Sequence, residues 1–214
     1  MQLTIQKVVP HPLRAAITAN SSDIWMQQHR FSKGQRIAVI APSGKGKTTF
    51  FHLLNGIRTD YDGTITWGDR DLRWMDSDEL SKLRAMYIGT VFQDLRLLPQ
   101  LTVWENLELK RGITNTITPE KMQQMLHHLG IAEKKDSTCR TLSYGEQQRV
   151  AIIRALLQPF DWLLLDEPFS HLDHMNIEKA VMLILEMAQK HQAGILITSL
   201  EDNDYFQYHQ KLYL

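Results

Sequence analysis

Cysteine is almost absent from this sequence, and neither sign of charge is in excess. The chain has one cysteine in 214 residues, Cys139, which excludes an internal disulfide and suits the reducing environment of the cytoplasm. Lysine and arginine together number 24, as do aspartate and glutamate. Because these charges cancel, the composition indicates no general attraction to nucleic acid or to an acidic membrane surface. We therefore expect no nucleic-acid partner.

Long hydrophobic runs are also missing. The N-terminal residues MQLTIQKVV lack the apolar core of a signal peptide. The most apolar stretches, WLLL and VMLIL, are too short to span a bilayer. No internal repeat or low-complexity tract is visible, and the length fits one domain with a substantial core. These absences predict a soluble protein that can still dock onto a membrane component.

The most informative stretch runs from Arg36 to Phe51 and reads RIAVI, APSGKGKTT and FF. It predicts a short strand, a loop of small residues and the start of a helix. Glycines let backbone N–H groups converge on an anion, and the helix N-terminus adds positive charge. Lys47 would reach the outer phosphates of a nucleotide, and the Thr48 hydroxyl would bind Mg²⁺. Because Ala41 stands where the full pattern has glycine, the alternative is an ordinary strand–turn–helix.

Strands and helices alternate along most of the chain. We expect strands at 3–9 and 23–31, with a turn at 32–35 that makes the second strand antiparallel to the phosphate-loop strand. A helical insertion is expected over 94–142, and one of its helices is stopped by Gly130. This alternation predicts an α/β fold with a parallel sheet, whose ligands bind at the carboxyl ends of the strands. The other expected strands are TITW, MYIGTVFQ ending at Gln93, 161–165, GILITS and KLYL.

Two carboxylates follow the apolar strand WLLL, namely Asp166 and Glu167. A carboxylate at a strand end near a phosphate loop can hold the water shell of Mg²⁺. The neighbouring Glu167 can polarise an attacking water, which suits hydrolysis better than transfer to a bulky acceptor. The alternative is a surface pair in the turn before Pro168.

Several motifs of this chain occur together in one known family. APSGKGKTT, VFQD, LSYGEQQRVAIIRAL, LLLDEP and HLD have the order and spacing found in ATP-binding-cassette (ABC) ATPases, which the whole chain resembles. LSYGE is similar to the signature motif of that family, which is far more specific than a phosphate loop. The stretch VFQDLRLLPQLTVWENLEL resembles the group that contains lipoprotein-releasing, macrolide-exporting and cell-division cassettes.

The resemblance implies a P-loop NTPase fold with a mainly parallel sheet core, an antiparallel β subdomain and an inserted helical subdomain. Residues 1–214 would form a single nucleotide-binding domain. Its catalytic core with the antiparallel part would cover 1–92 and 159–214, and the helical subdomain with the signature motif would cover 94–158. ATP and Mg²⁺ are the implied cofactors. A second copy of the chain and an integral membrane permease are the implied partners.

The resemblance also assigns roles to residues. Gln93 would contact Mg²⁺ and the attacking water, Asp166 would serve the Mg²⁺ site together with Thr48, and Glu167 would be the catalytic base. His171-Leu172-Asp173 would link the two sites of a dimer. The residues implied to wrap the phosphates are Ala41, Pro42, Ser43, Gly44, Lys45, Gly46, Lys47, Thr48 and Thr49. Those implied to cover the ATP of a second copy are Ser143, Gly145 and Glu146.

Each role has an ordinary structural alternative. Gln93 can simply end a strand, and Lys45 can be solvated. Ser143 and Glu146 have the spacing of a capping box, which stabilises any helix N-terminus. His11, between two prolines, is a weak candidate for the adenine-stacking residue, with a plain loop position as the alternative. The order in which the motifs occur together favours the functional interpretation.

Four positions depart from the family pattern: Ala41 and Tyr144 replace glycines, Phe169 replaces a threonine and Ser199 replaces a histidine. An alanine at 41 is tolerable where φ is negative. The ring of Tyr144 would lie outside the nucleotide sandwich or alter its closure. Serine is shorter than histidine and carries no positive charge, so we expect Ser199, as a catalytic position, to give slower hydrolysis. Hydrolysis is not abolished, because Glu167 remains.

The leading functional hypothesis is an ATPase subunit, peripheral on the cytoplasmic face of the inner or plasma membrane, whose two copies close on two ATP molecules and drive a permease. The second is a slow ATP-gated clamp that regulates a membrane or envelope partner without transport. A soluble DNA-repair or translation cassette ranks lower, since coiled-coil insertion, second cassette, zinc-type cysteines and basic charge are all missing. A small-molecule kinase leaves LSYGEQQR without a role.

Overall fold

The computed structural model describes residues 1–18 and 22–214. In these ranges it contains six α-helices and nine β-strands. The strands are β1 Leu3–Pro10, β2 Gln28–Phe31, β3 Arg36–Ile40, β4 Tyr61–Trp67, β5 Arg70–Asp71, β6 Ile88–Val91, β7 Trp162–Asp166, β8 Gly194–Ser199 and β9 Gln210–Tyr213. The helices are α1 Lys47–Leu54, α2 Ser77–Met86, α3 Val103–Thr114, α4 Pro119–His128, α5 Tyr144–Leu156 and α6 His174–His191.

Five strands form a parallel sheet in the order β6-β7-β8-β3-β9. The predicted α/β fold with a mainly parallel sheet is therefore confirmed. Strands β7 and β3 are both neighbours of β8, so their carboxyl ends lie at one edge of the sheet, with the end of β8 between them. This edge carries the phosphate loop after β3 and the two carboxylates Asp166 and Glu167 at the end of β7.

Apart from the edge strand β9, the parallel sheet is buried on both faces, and its side chains alternate between two apolar clusters. In β7, Trp162 and Leu164 pack in the cluster with the antiparallel sheet and α1. Leu163 and Leu165 pack in the other, with helices α3 to α6. Alternation follows from the two-residue period of a strand. Because both faces are covered, the sequence of such a strand is apolar throughout.

The other four strands form an antiparallel sheet in the order β2-β1-β4-β5, as predicted for the antiparallel part. The prediction for 23–31 is wrong in two respects. Only Gln28–Phe31 is a strand, and it pairs with β1 in this sheet and not with the phosphate-loop strand. The chain turns at Met26, where φ is 63°. That turn buries Ile24 and Trp25. Burial of these two side chains favours the turn over an extended strand through the whole segment.

Three helices, α3, α4 and α5, lie between β6 and β7 in the chain, as expected for a helical insertion. Capping boxes start two of them, with Thr102 and Glu105 at α3. The prediction that the preceding strand reaches Gln93 is wrong, because β6 ends at Val91. Positive φ angles at Leu95 and Arg96 turn the chain there. In the described ranges no helix is both long and apolar enough to cross a bilayer.

Candidate functional site

The phosphate loop connects β3 to α1. Gly46 stands immediately before α1 with a φ of 99°, a left-handed angle that glycine adopts without strain. A Cβ at this position would lie 2.7 Å from Cδ1 of Leu13, so the Leu13 side chain would have to shift. Ala41 is buried, its φ is not positive, and its N–H donates to the Ser199 carbonyl over 3.1 Å. The methyl group of Ala41 is therefore accommodated.

Lys47 is buried beneath this loop. Its ammonium donates to the carbonyls of Ala41 at 2.6 Å and Pro42 at 3.0 Å. The same ammonium lies 3.2 Å from Oε1 of Glu167. The loop has the curvature of an anion cradle, with positive φ angles at Gly44 and Gly46. Lys45, by contrast, is exposed.

The Thr48 hydroxyl donates to Oε1 of Gln93 over 3.0 Å. Thr48 and Gln93 line a cleft of about 190 Å³ at the phosphate loop, together with Lys47 and Glu167. An adjoining cleft of about 300 Å³ shares Thr48 and Gln93 and reaches Asp166. The structure thus brings five of the predicted site residues to one place. The predicted loop residues Ser43, Gly44, Gly46 and Thr49 line the first cleft as well.

Asp166 lies at the end of β7 and is only 1% exposed. The Thr198 hydroxyl donates to its Oδ1 over 2.5 Å. Burial raises the pKa of Asp166, and the neighbouring charge of Glu167 acts in the same direction. The Thr198 hydroxyl, the Lys47 ammonium and the Thr48 hydroxyl oppose that rise in pKa. A cation beside this buried carboxyl group would favour its charged form.

The oxygen atoms here match Mg²⁺, a hard cation that one or two protein ligands hold together with substrate phosphates. Thr48, Gln93 and Asp166 supply hydroxyl, amide and carboxylate oxygens around the adjoining clefts. In the described part of the chain no cluster of three or more His, Cys, Asp or Glu residues has the arrangement of a metal cage. The donor set suits a metal that arrives with a nucleotide.

Glu167 has a left-handed backbone, with a φ of 48°. Such a conformation is uncommon for a residue other than glycine and is often found at functional sites. Its N–H donates to the Thr198 carbonyl at 3.3 Å and hydroxyl at 3.2 Å. Its carbonyl accepts from Nε2 of Gln148 at 3.1 Å. These bonds fix the Glu167 backbone, and its carboxylate lies beside Lys47.

Ser199 ends β8, and its hydroxyl turns into the following loop. It donates to the Glu201 carbonyl and accepts a hydrogen bond from Nδ2 of Asn203 at 2.9 Å. The Tyr208 hydroxyl in turn donates to Oδ1 of Asn203 over 2.7 Å. In this arrangement the single hydroxyl proton of Ser199 is used in the bond to the Glu201 carbonyl. Phe169, another departure, is buried against Tyr205.

The N-terminus of α5 lies beside the adjoining cleft, which Tyr144 lines. Ser143 caps the helix and forms a reciprocal capping box with Glu146, the alternative foreseen from the sequence. Gly145 approaches the His171 loop so closely that a Cβ would lie 2.7 Å from the His171 carbonyl oxygen. Among the described residues that line either cleft, Ser143, Gly145 and Glu146 do not appear. The structure does not bring these three to the phosphate loop of their own chain.

The sequence interpretation missed some residues that shape the site. Thr198 holds both Asp166 and Glu167, and Gln148 accepts from the His171 N–H at 3.2 Å while holding Glu167. Gln148 is a polar residue among the apolar positions of α5, and it is 1% exposed. That polar residue was the signal from which its role could have been predicted. His11, the weak adenine candidate, pairs with Asp62 at 3.3 Å, and Leu13 is the residue of that segment beside the phosphate loop.

Comparison with known proteins identifies the family. The sequence profile of the ABC transporter family matches residues 27–170. The chain belongs to the ABC transporter ATPase family. This cassette is 36% identical over 171 residues to LolD, the lipoprotein-releasing system ATP-binding protein of Legionella pneumophila (strain Lens). That alignment covers 78% of the cassette and 75% of the relative. The resemblance seen in the sequence is confirmed.

Other relatives agree with this assignment. The cassette is 33% identical over 170 residues to YbbA of Escherichia coli K12, an uncharacterized ABC transporter ATP-binding protein, with 78% and 75% of the chains covered. Its fold matches the dimeric structure of MJ0796, a bacterial ABC transporter cassette, with a TM-score of 0.77 at 24% identity over 93% and 88% of the chains. A dimeric post-hydrolysis state of MJ0796 with ADP and Pi gives a TM-score of 0.74 at 25% identity, over 95% and 89% of the chains.

Proposed function

We propose that this chain binds and hydrolyses ATP as the energy-supplying subunit of a membrane permease. One observation carries the proposal: Lys47, Thr48, Gln93, Asp166 and Glu167 meet around adjoining clefts at the carboxyl ends of β3 and β7. These are the groups that hydrolysis of a nucleoside triphosphate needs, namely a lysine and backbone N–H groups for phosphates, oxygen ligands for a metal and a carboxylate base.

The chemistry assigned to these side chains is a water attack on the γ-phosphorus. Glu167 accepts the proton of the attacking water, a new P–O bond forms, and the bond between the γ-phosphorus and the β–γ bridging oxygen breaks to leave ADP and phosphate. Lys47 and the loop N–H groups hold the phosphates and stabilise the charge that develops on them. Thr48, Gln93 and Asp166 would hold Mg²⁺, which would neutralise phosphate charge.

The site is proposed to be completed by a second copy of the chain. Ser143, Gly145 and Glu146 stand at an exposed helix N-terminus whose partial positive charge favours an anion. They lie apart from the phosphate loop of their own chain, and MJ0796, whose fold this chain shares, has been solved as a dimer. In the proposed homodimer these residues cover the ATP on the partner's phosphate loop. The His171-Leu172-Asp173 segment joins the two sites.

The permease is proposed to dock in a groove of about 500 Å³ beside α3. Its exposed apolar rim suits a helix of the partner. Among the lining residues that the structure describes, four are basic and none is acidic. Burial and the charge of Arg154 lower the pKa of Lys110 to about 8. The apolar rim consists of Ile57, Leu98, Leu109 and Ile113, and the basic residues are Arg84, Arg96, Lys110 and Arg154.

A phosphate-release assay tests the enzymatic proposal. The purified chain is expected to release phosphate from Mg²⁺–ATP at a rate that rises more steeply than linearly with protein concentration, because two copies form each site. Lys47→Ala is expected to lower the rate of phosphate release at least about tenfold. The matched control is Lys82→Ala, which changes an exposed lysine of α2. This variant is expected to release phosphate at the rate of the unaltered chain. Activity that persists in Lys47→Ala would contradict the proposal.

Crosslinking tests the membrane partner and a peripheral location on the cytoplasmic face. Cys139 is buried, so a cysteine introduced at Ile113 in the groove presents the accessible thiol. We expect that thiol to crosslink to an integral membrane protein in native membranes. The control is Met182→Cys, at an exposed position of α6 outside the groove. The thiol at this position is expected not to crosslink to the membrane protein. Equal labelling from both positions would contradict docking in this groove.

A second candidate function is a slow ATP-gated clamp that regulates a membrane partner without transport. The orientation of the Ser199 hydroxyl toward Glu201 and Asn203 favours it, because a phosphate-facing donor is then missing. Basal turnover distinguishes the two functions. A transport subunit is expected to hydrolyse faster with its permease present, whereas a clamp is expected to keep the same slow rate.

A further inference from the structure

Tyr144 connects the start of α5 to the loop that contains Gln93. Its hydroxyl donates to the backbone carbonyl of Gln93 over 2.8 Å. On the other side, the centroids of the Tyr144 and His171 rings lie 4.2 Å apart. The Tyr144 side chain therefore contacts both the Gln93 loop and the His171 loop. A glycine at this position could make neither contact.

The Gln93 loop depends on α5 for its shape. Leu95 and Arg96 have positive φ angles of 56° and 49°, a conformation that costs free energy for residues with a side chain. Arg154, near the end of α5, donates to the carbonyls of both residues at 2.6 Å. Tyr144 supplies the corresponding bond at the start of the loop. Three carbonyl groups of residues 93–96 are thus held by one helix.

The bond from Tyr144 acts on the same residue that contacts the phosphate-loop helix. Oε1 of Gln93 accepts from the Thr48 hydroxyl at 3.0 Å, while the backbone carbonyl of Gln93 accepts from Tyr144. Gln93 itself is exposed, so packing restrains it little.

We propose that Tyr144 is a positioning residue for Gln93. Its hydroxyl holds the Gln93 backbone, and through that backbone it keeps the Gln93 amide beside Thr48, where the proposed Mg²⁺–ATP site needs an oxygen ligand. Tyr144 does not touch the nucleotide in this role. The effect of Tyr144 on catalysis rests on the proposed function. The positioning of Gln93 does not depend on that function, because the hydrogen bond from Tyr144 is present without nucleotide.

The first test is hydrogen exchange on the nucleotide-free protein. Tyr144→Phe removes only the hydroxyl and keeps the ring beside His171. We expect the amides of Leu95 and Arg96, which close the Gln93 loop, to exchange about fivefold faster in this variant, the effect of one lost hydrogen bond. Tyr87→Phe, which removes the hydroxyl of another half-exposed tyrosine, is the control. Unchanged exchange in Tyr144→Phe overturns the proposal, whether or not the chain hydrolyses ATP.

The second test separates positioning from general stability. At saturating ATP, the Mg²⁺ concentration for half-maximal phosphate release is expected to rise about fivefold in Tyr144→Phe. The KM for ATP at saturating Mg²⁺ is expected to stay near that of the unaltered chain. A lower free energy of unfolding with an unchanged Mg²⁺ requirement would mean a merely structural role and would overturn the proposal. An inactive unaltered chain would count against the proposed function and leave the exchange test decisive.

Discussion

Nζ of Lys47 lies 3.2 Å from Oε1 of Glu167, and both side chains are almost completely buried, at 4% and 10% exposure. The lysine proposed to bind phosphate is therefore paired with the carboxylate proposed to activate water. An incoming phosphate would compete with Glu167 for the ammonium. That competition would free the carboxylate, and nucleotide binding would then be coupled to activation of the proposed base.

Removing the charge of Glu167 tests this coupling. Glu167→Gln is expected to lower the rate of phosphate release by at least about a hundredfold, because an amide does not accept the proton of the attacking water. With ATP present, the variant is expected to elute from a sizing column as a dimer. Glu178→Gln, at an exposed site on α6, should behave as the unaltered chain does. A Glu167→Gln variant that binds ATP and stays monomeric would contradict the shared site.

The raised pKa of Asp166 predicts a pH-dependent stability effect. An acid whose pKa is higher in the folded chain is more protonated when folded, so its contribution to stability falls as the pH rises through the interval above its ordinary value of 3.8. Asp166→Asn lacks this charge. In urea unfolding at pH 7 it should therefore be more stable than the unaltered chain, and the difference should vanish as the pH falls toward 3.8.

The exposed Asp69 of the turn after β4 provides a control for that measurement. Asp69→Asn is expected to change the free energy of unfolding little at either pH. An Asp166→Asn variant that is less stable than the unaltered chain at pH 7 would show that hydrogen bonds to the carboxylate outweigh its burial.

Ser199→His is expected to accelerate hydrolysis. A histidine at the end of β8 has a longer side chain with a ring N–H donor, which we expect to donate to the γ-phosphate of a bound nucleotide. One added donor of this kind is expected to raise turnover on the order of tenfold, measured as steady-state phosphate release. Ser199→Ala, which removes the hydroxyl without adding a donor, should leave turnover nearly unchanged. An equal or lower rate for Ser199→His would count against our interpretation of this position.

Two glycines are expected to respond in opposite ways to alanine. A Cβ at Gly194 would lie 2.6 Å from atoms of the Trp162 ring in the core, so Gly194→Ala should cost about 1–3 kcal/mol in free energy of unfolding. Gly112 is exposed within α3 and has open space around it. Gly112→Ala should stabilise the chain by up to about 1 kcal/mol. Urea unfolding of both variants measures the contrast, and a stabilising Gly194→Ala would contradict the packing described.

Most of the parallel sheet was predictable because its strands, except β9, are buried on both faces. Strand β7 is apolar until Asp166, and that run of side chains marks it without knowledge of its neighbours. The residues around the cleft were predictable for a related reason. Lys47, Thr48, Asp166 and Glu167 stand at strand ends or helix starts, and such places converge once the sheet is parallel.

Contacts between distant segments were not predictable from local patterns. The segment at 23–31 has the composition of a strand, but burial of Trp25 turns the chain before Gln28. The hydroxyl of Ser199 faces Asn203 because of how the following loop folds back. Tyr144 reads as a departure from the family pattern, and only the fold shows that its hydroxyl reaches the Gln93 carbonyl.

Helix α5 contacts three separated loops through side chains of one helix face. Tyr144 bonds to the Gln93 carbonyl, and Gln148 bonds to the Glu167 carbonyl and the His171 N–H. A turn of this helix by a single residue, about 100°, would break all of these bonds together. Helix α5 thus aligns these three loops with one another. A change in its rotation is expected to disturb the proposed metal ligand Gln93, the proposed base Glu167 and the His171 loop at the same time.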